Sequence, residues 1–111
     1  MLSLQLREKL LSLSTPLLVD ARVRLGLSES HLDPGIRPAV PFTRMAGTAV
    51  TVRLEMATDE SPADLALLAD TYESQSLESY SIMVIQVPEE LRGYGIVGEG
   101  GATLARAHGF V

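Results

Sequence analysis

The sequence predicts an α/β domain in which helices pack on a partly parallel sheet. Three features point there: an alternating strand at 48–56, a short apolar run at 82–87 stopped by Pro88, and a helical pattern at about 62–74 between them. Strand, helix, strand is the order a parallel crossover requires, because two parallel neighbours cannot be joined by a tight hairpin. A glycine-rich loop, a further helix and the apolar residues Phe110 and Val111 follow, so the pattern begins to repeat.

The elements follow in chain order. Leu2, Leu6, Leu10 and Leu13 recur at helical spacing with Gln5, Arg7, Glu8 and Lys9 between them, which predicts an amphipathic helix over 2–13. Ser14 or Thr15 then serves as N-cap of a second helix, with Pro16 in its first turn and Gly26 as its stop. The prolines 34, 38 and 41 forbid a continuous helix over 32–41 and predict an ordered loop or edge strand. In 48–56, Val50, Val52, Leu54 and Met56 share one face while Thr51, Arg53 and Glu55 share the other, the period of a half-exposed strand. Ser61, Pro62 and Asp64 form a helix start ahead of Leu65, Leu68, Ala69 and Tyr72. Ile82, Met83, Val84 and Ile85 run without alternation, as in a strand covered on both faces. Gly109 ends the last helix, and the two residues after it predict the opening of another strand.

Composition narrows the function classes. A length of 111 residues fits a single domain spanning 1–111. The formal net charge of -5, with nine scattered basic residues, lacks the clustered Lys and Arg of a nucleic-acid footprint. No cysteine is present, so neither a disulfide framework nor a thiolate zinc site is expected, and the chain suits a reducing, cytoplasmic setting. The apolar runs are far shorter than a membrane helix needs, and no signal peptide is read at the N-terminus.

The chemistry concentrates in 92–102, where Gly93, Gly95, Gly98, Gly100 and Gly101 surround the single carboxylate Glu99 ahead of a helix. Glycine lets the backbone turn at positive φ and come close to a ligand, and the free N–H groups of a helix start favour an anion. The letters Gly93-Tyr94-Gly95-Ile96-Val97-Gly98 match the dinucleotide fingerprint G-x-G-x-x-G, but five residues separate Val87 from Gly93, where that fingerprint follows its strand directly. Three readings remain: a nucleotide site, a purely structural turn, or a small anionic ligand with Glu99 orienting a water or balancing a metal.

Three segments carry a resemblance: Leu32-Asp33-Pro34-Gly35-Ile36-Arg37-Pro38, Met45-Ala46-Gly47-Thr48-Ala49-Val50-Thr51-Val52, and Gly98-Glu99-Gly100-Gly101-Ala102-Thr103-Leu104-Ala105-Arg106-Ala107-His108-Gly109. Together, and with Val19-Asp20-Ala21, the chain resembles the family of regulator of ribonuclease activity A and the class II 4-hydroxy-4-methyl-2-oxoglutarate aldolases, covering its N-terminal two thirds. The resemblance implies a swivelling β/β/α fold, incomplete here at its C-terminus, assembled as a homotrimer or hexamer with sites between protomers. It implies cleavage or decarboxylation of a 2-oxo acid, 4-hydroxy-4-methyl-2-oxoglutarate or oxaloacetate, to pyruvate with magnesium or manganese. The metal, held against the 2-oxo group, stabilises the enolate formed as the C–C bond breaks.

Carried over residue by residue, the resemblance implies Glu99 as the acidic catalytic residue and the amides of Gly98, Glu99, Gly100 and Gly101 as the substrate-binding loop. The family's Arg-Asp pair, whose arginine grips the oxo acid and whose aspartate holds the metal, would fall past Val111, so no metal ligand is assigned within this chain. The chain by itself is therefore expected to lack aldolase activity. A fragment, a shortened paralogue or a misjudged gene end each fits that absence, and the apolar finish favours the first or third. The alternative function is a non-catalytic, protein-binding regulator of an RNA-degrading enzyme.

Other residues have plainer readings. His31 and His108 lack a second metal-ligand residue at helical spacing, and His108 suits the last turn of its helix. Arg37 and Arg44 can pair with an acid or remain solvated, and Glu89 and Glu90 read as a loop or a first helical turn. Met56 and Met83 are expected to fill gaps in the core.

Overall fold

Residues 48–53 and 81–86 form a two-stranded parallel ladder in the computed structural model, which describes residues 2–28, 31–57, 65–74 and 78–111. Strand β1 (Thr48–Arg53) pairs with β2 (Ser81–Gln86) from Thr48 opposite Ser81 to Arg53 opposite Gln86. Helix α3 (Leu65–Ser74) lies between them in sequence, so the mixed helix and strand content is of the α/β kind. The expected N-cap, Ser61, and its partners Pro62 and Asp64 lie outside the described residues.

The alternation in β1 is as the sequence predicts: Val50, Val52 and Leu54 are half-buried, whereas Thr51, Arg53 and Glu55 are exposed. The strand stops at Arg53 rather than Met56. One further ladder bond runs from Leu54 N–H to the Gln86 carbonyl at 3.0 Å, and the partner strand then reaches Pro88, which has no N–H to continue it. Met56 is accordingly exposed instead of filling the core.

On its other side β2 meets the chain's last residues. Ser81 N–H donates to the Gly109 carbonyl and Val111 N–H to the Ser81 carbonyl, both at 3.0 Å, a parallel bridge between Ser81 and Phe110. The strand opening expected after Gly109 is thus a single bridge at Phe110 and not a named strand, and β2 is bonded on both sides at its start. Farther along, Ile82, Met83, Val84 and Ile85 are half-buried rather than fully covered. The bridge touches only Ser81.

The core gathers where α3 meets α4 (Glu99–Ala107). Tyr72 and Phe110 are the buried apolar side chains among the described residues, 8% and 7% exposed, with ring centroids 5.3 Å apart at a tilted angle. Such tilted pairs are favourable by about 0.5–1.5 kcal/mol beyond area burial. Ser81, 1% exposed, donates its hydroxyl to the Glu78 carbonyl at 2.7 Å, which satisfies a polar group that would otherwise be costly to bury.

Backbone contacts divide the chain into this unit, built on Gly47–Val111, and a second one, Ser3–Ala46. In the latter, α1 (Leu4–Ser12) and α2 (Thr15–Arg24) start at Ser3 and Ser14, whose hydroxyls accept from Leu6 N–H and Leu17 N–H. Helix α2 ends in a Schellman motif: Gly26 at φ +71° donates to the Val23 carbonyl and Leu27 to the Arg22 carbonyl. No residue of either helix is buried. Residues 31–46 contain neither helix nor strand, so of the loop or edge strand expected over 32–41 the loop is formed, and Asp33 Oδ1 accepts from Gly35 N–H at 2.7 Å in a local turn. Among the described residues, no helix is long and apolar enough to cross a membrane.

Candidate functional site

Beyond β2 the backbone makes one turn of 3-10 helix, Glu89–Leu91, capped by Pro88. Tyr94 N–H then donates to the Leu91 carbonyl at 3.2 Å while Gly93 takes φ +96°, a conformation that glycine adopts at little cost. The first glycine of the G-x-G-x-x-G letters is thus a turn residue. Residues 87–98 separate β2 from α4, so the tight strand-to-helix turn of a dinucleotide site is not formed.

Gly98 is the N-cap of α4, with extended backbone and no side chain to cap the helix. The first intrahelical bond runs from Ala102 N–H to the Gly98 carbonyl at 2.9 Å. The N–H groups of Glu99, Gly100 and Gly101 therefore lack an intrahelical acceptor and form the positive end of the helix dipole. The structure brings all four predicted residues, Gly98, Glu99, Gly100 and Gly101, to that one helix end. Glu99 is exposed in the first turn, where its charge favours the helix, and makes no ion pair among the described residues. Glu99 and Gly100 also border a wide-open recess of about 470 Å³ along α4, continued by Thr103, Leu104 and Ala107.

Packing among the described residues does not explain Gly98 or Gly101. A Cβ added at Gly98 would meet nothing within 4 Å, and one at Gly101 only Val97 Cγ1 at 3.8 Å, an ordinary contact. By contrast, a Cβ at Gly47 would lie 2.0 Å from the Tyr80 carbonyl oxygen, so that glycine is demanded by the β1–β2 approach.

The remaining candidates are placed as follows. His108 is the C-cap of α4; its ring lies 5.7 Å from that of Tyr72, with Nδ1 3.3 Å from the Leu104 carbonyl and Nε2 3.9 Å from Glu73. It is a helix-end packing residue and stands apart from the glycine loop by the length of α4. His31 is exposed. Arg37 donates to the Pro34 carbonyl and Arg44 to the Leu13 carbonyl, so both are engaged with main chain in their own unit. Among the described residues no group of three or more His, Asp or Glu converges to hold a metal. Glu99 alone does not fit magnesium or manganese, which take several oxygen ligands.

A second recess, of about 380 Å³, opens at the carboxyl ends of β1 and β2, lined by Arg53, Leu54, Glu55, Met56, Gln86, Pro88 and Glu90. Sequence reasoning did not single out Arg53 or Gln86. Their position at the last rung of a parallel ladder is the available signal, because open α/β sheets bind ligands outside the carboxyl ends of their strands. No family model, curated protein or solved structure matches this chain.

Proposed function

We propose that the chain is the substrate-binding part of a divalent-metal-dependent 2-oxo acid aldolase or decarboxylase of the swivelling β/β/α type, releasing pyruvate from 4-hydroxy-4-methyl-2-oxoglutarate or oxaloacetate. One observation carries the reading. Glycines 98, 100 and 101 flank Glu99 at the start of α4; at Gly101, inside the helix, glycine costs about 1 kcal/mol relative to alanine and no neighbouring atom among the described residues requires it. Close approach of a ligand carboxylate to the backbone does require it. The N–H groups of Glu99, Gly100 and Gly101 hold that carboxylate, and Glu99 orients a water at the reacting carbon. The described residues form no metal site, so no step is drawn through a metal; the Arg-Asp pair of the resembling family is absent from the 111 residues. A trimeric or hexameric ring in the cytoplasm, with the site shared between protomers, belongs to the same proposal.

Pyruvate titrated into the full chain is expected to move the amide signals of Gly98, Glu99, Gly100 and Gly101 saturably. If those four stay fixed while the rest of the spectrum is intact, the reading fails. The exposed loop side chains Tyr94 and Val97 support one second reading, a non-catalytic regulator that binds an RNA-degrading enzyme through them. Capture of a ribonuclease by the chain, abolished by Tyr94→Ser and unaffected by pyruvate, is its expected result.

A further inference from the structure

The recess at the carboxyl ends of β1 and β2 carries chemistry that the 2-oxo acid reading does not use. Arg53 and Glu55 stand 3.5 Å apart through Arg53 Nε and a single Glu55 oxygen. That one contact leaves the terminal N–H groups of the guanidinium uncommitted among the described residues, and these are the donors that clamp a carboxylate in bidentate fashion. Glu90, held over the recess by the 3-10 turn after Pro88, has no ion-pair partner among the described residues. Leu54, Met56 and Pro88 supply an apolar wall, and the volume of about 380 Å³ falls in the range of small-molecule sites.

We propose that this recess binds a small zwitterion of the α-amino acid class, its carboxylate on Arg53, its ammonium on Glu90, and its side chain against Leu54, Met56 and Pro88. Two carboxylates face one guanidinium, so a dicarboxylate or a simple anion is repelled there. The proposal goes beyond the loop reading and stands whether or not that reading holds, since none of its residues belongs to 98–101.

The test follows amide signals of the full chain with three matched probes: L-norleucine, pentylamine, which lacks the carboxylate, and hexanoate, which lacks the ammonium. Norleucine is expected to shift Arg53, Glu55, Gln86 and Glu90 saturably, with each half-molecule about tenfold weaker or more. Arg53→Gln should weaken norleucine by about tenfold and leave pentylamine no weaker, whereas Glu90→Gln should weaken both. Both positions are exposed, and an unchanged spectrum elsewhere shows that the variants fold. Absence of shifts with norleucine, or equal binding of hexanoate or pentylamine, overturns the proposal.

Discussion

Gly47→Ala tests the point at which β1 begins to run beside β2. An added Cβ would sit 2.0 Å from the Tyr80 carbonyl oxygen, 3.1 Å from its carbon and 2.9 Å from Ile82 Cγ1. Two of these atoms are backbone, so no rotamer change relieves the clash, and the strands must separate by roughly 1 Å to reach ordinary contact. The same Tyr80 carbonyl accepts from Thr48 N–H at 3.1 Å, and that bond is lost with the separation. Overpacking costs about 1–3 kcal/mol and the bond about 0.5–1.5 kcal/mol, while alanine's lower unfolded-state entropy returns about 0.4–1 kcal/mol. Taken at mid-range, these terms leave a net loss of about 2 kcal/mol. With a urea m-value of about 1–3 kcal/mol/M, the midpoint of unfolding followed by circular dichroism falls by about 1–2 M. Gly95→Ala is the control, because a Cβ there meets nothing within 4 Å, and its unfolding free energy should stay within about 0.5 kcal/mol of the parent's. Equal midpoints for the two variants would refute the tight approach at Gly47 and with it the β1–β2 register.

Further expectations concern the loop and the core. Gly101→Ala should raise unfolding stability by up to about 1 kcal/mol, since its Cβ makes only an ordinary contact, while weakening pyruvate binding if the backbone there receives a carboxylate. Glu99→Gln should lose about 0.3–1 kcal/mol of helix stabilisation yet tighten pyruvate binding, because one negative charge leaves the helix start; unchanged affinity would separate the anion from that end of α4. Ser81→Ala removes the hydroxyl bonded to the Glu78 carbonyl and should cost about 1 kcal/mol in urea unfolding. Burial raises the Tyr72 phenol above its ordinary 10.0, so the unfolded chain ionises first. The contribution of Tyr72 to stability should therefore be constant below about pH 10 and be lost as pH rises through the raised folded value. Tyr72→Phe should abolish that alkaline fall while giving up only the weak O–H contact with Met83 Sδ at 4.0 Å; a variant with the same fall would place the titration elsewhere.

Local signals proved legible where they act over a few residues. Ser14 as a cap, Gly26 as the stop of α2 and the alternation of Val50, Val52 and Leu54 all rest on neighbours in sequence, and each is realised. The gathering of Gly98, Glu99, Gly100 and Gly101 at one helix end was legible for the same reason. Burial was not legible, because it depends on what packs above a face. Ile82 to Ile85 read as doubly covered yet are half-buried, and Met56 read as core yet is exposed. Arg53 passed as an ordinary outward residue because its meaning lies in standing opposite Gln86 at the ladder's end.

The amino-acid order by itself determined which segments become helix or strand, the stop of α2 and the cluster of free N–H groups at the start of α4, since caps, periodicity and glycine conformations are short-range physics. Only the tertiary structure decided which glycine is compelled. Gly47 faces a backbone oxygen supplied by Tyr80, far along the chain, whereas Gly98 faces open space. The difference is one of contact at a distance: a steric demand exists only when another part of the chain arrives to impose it.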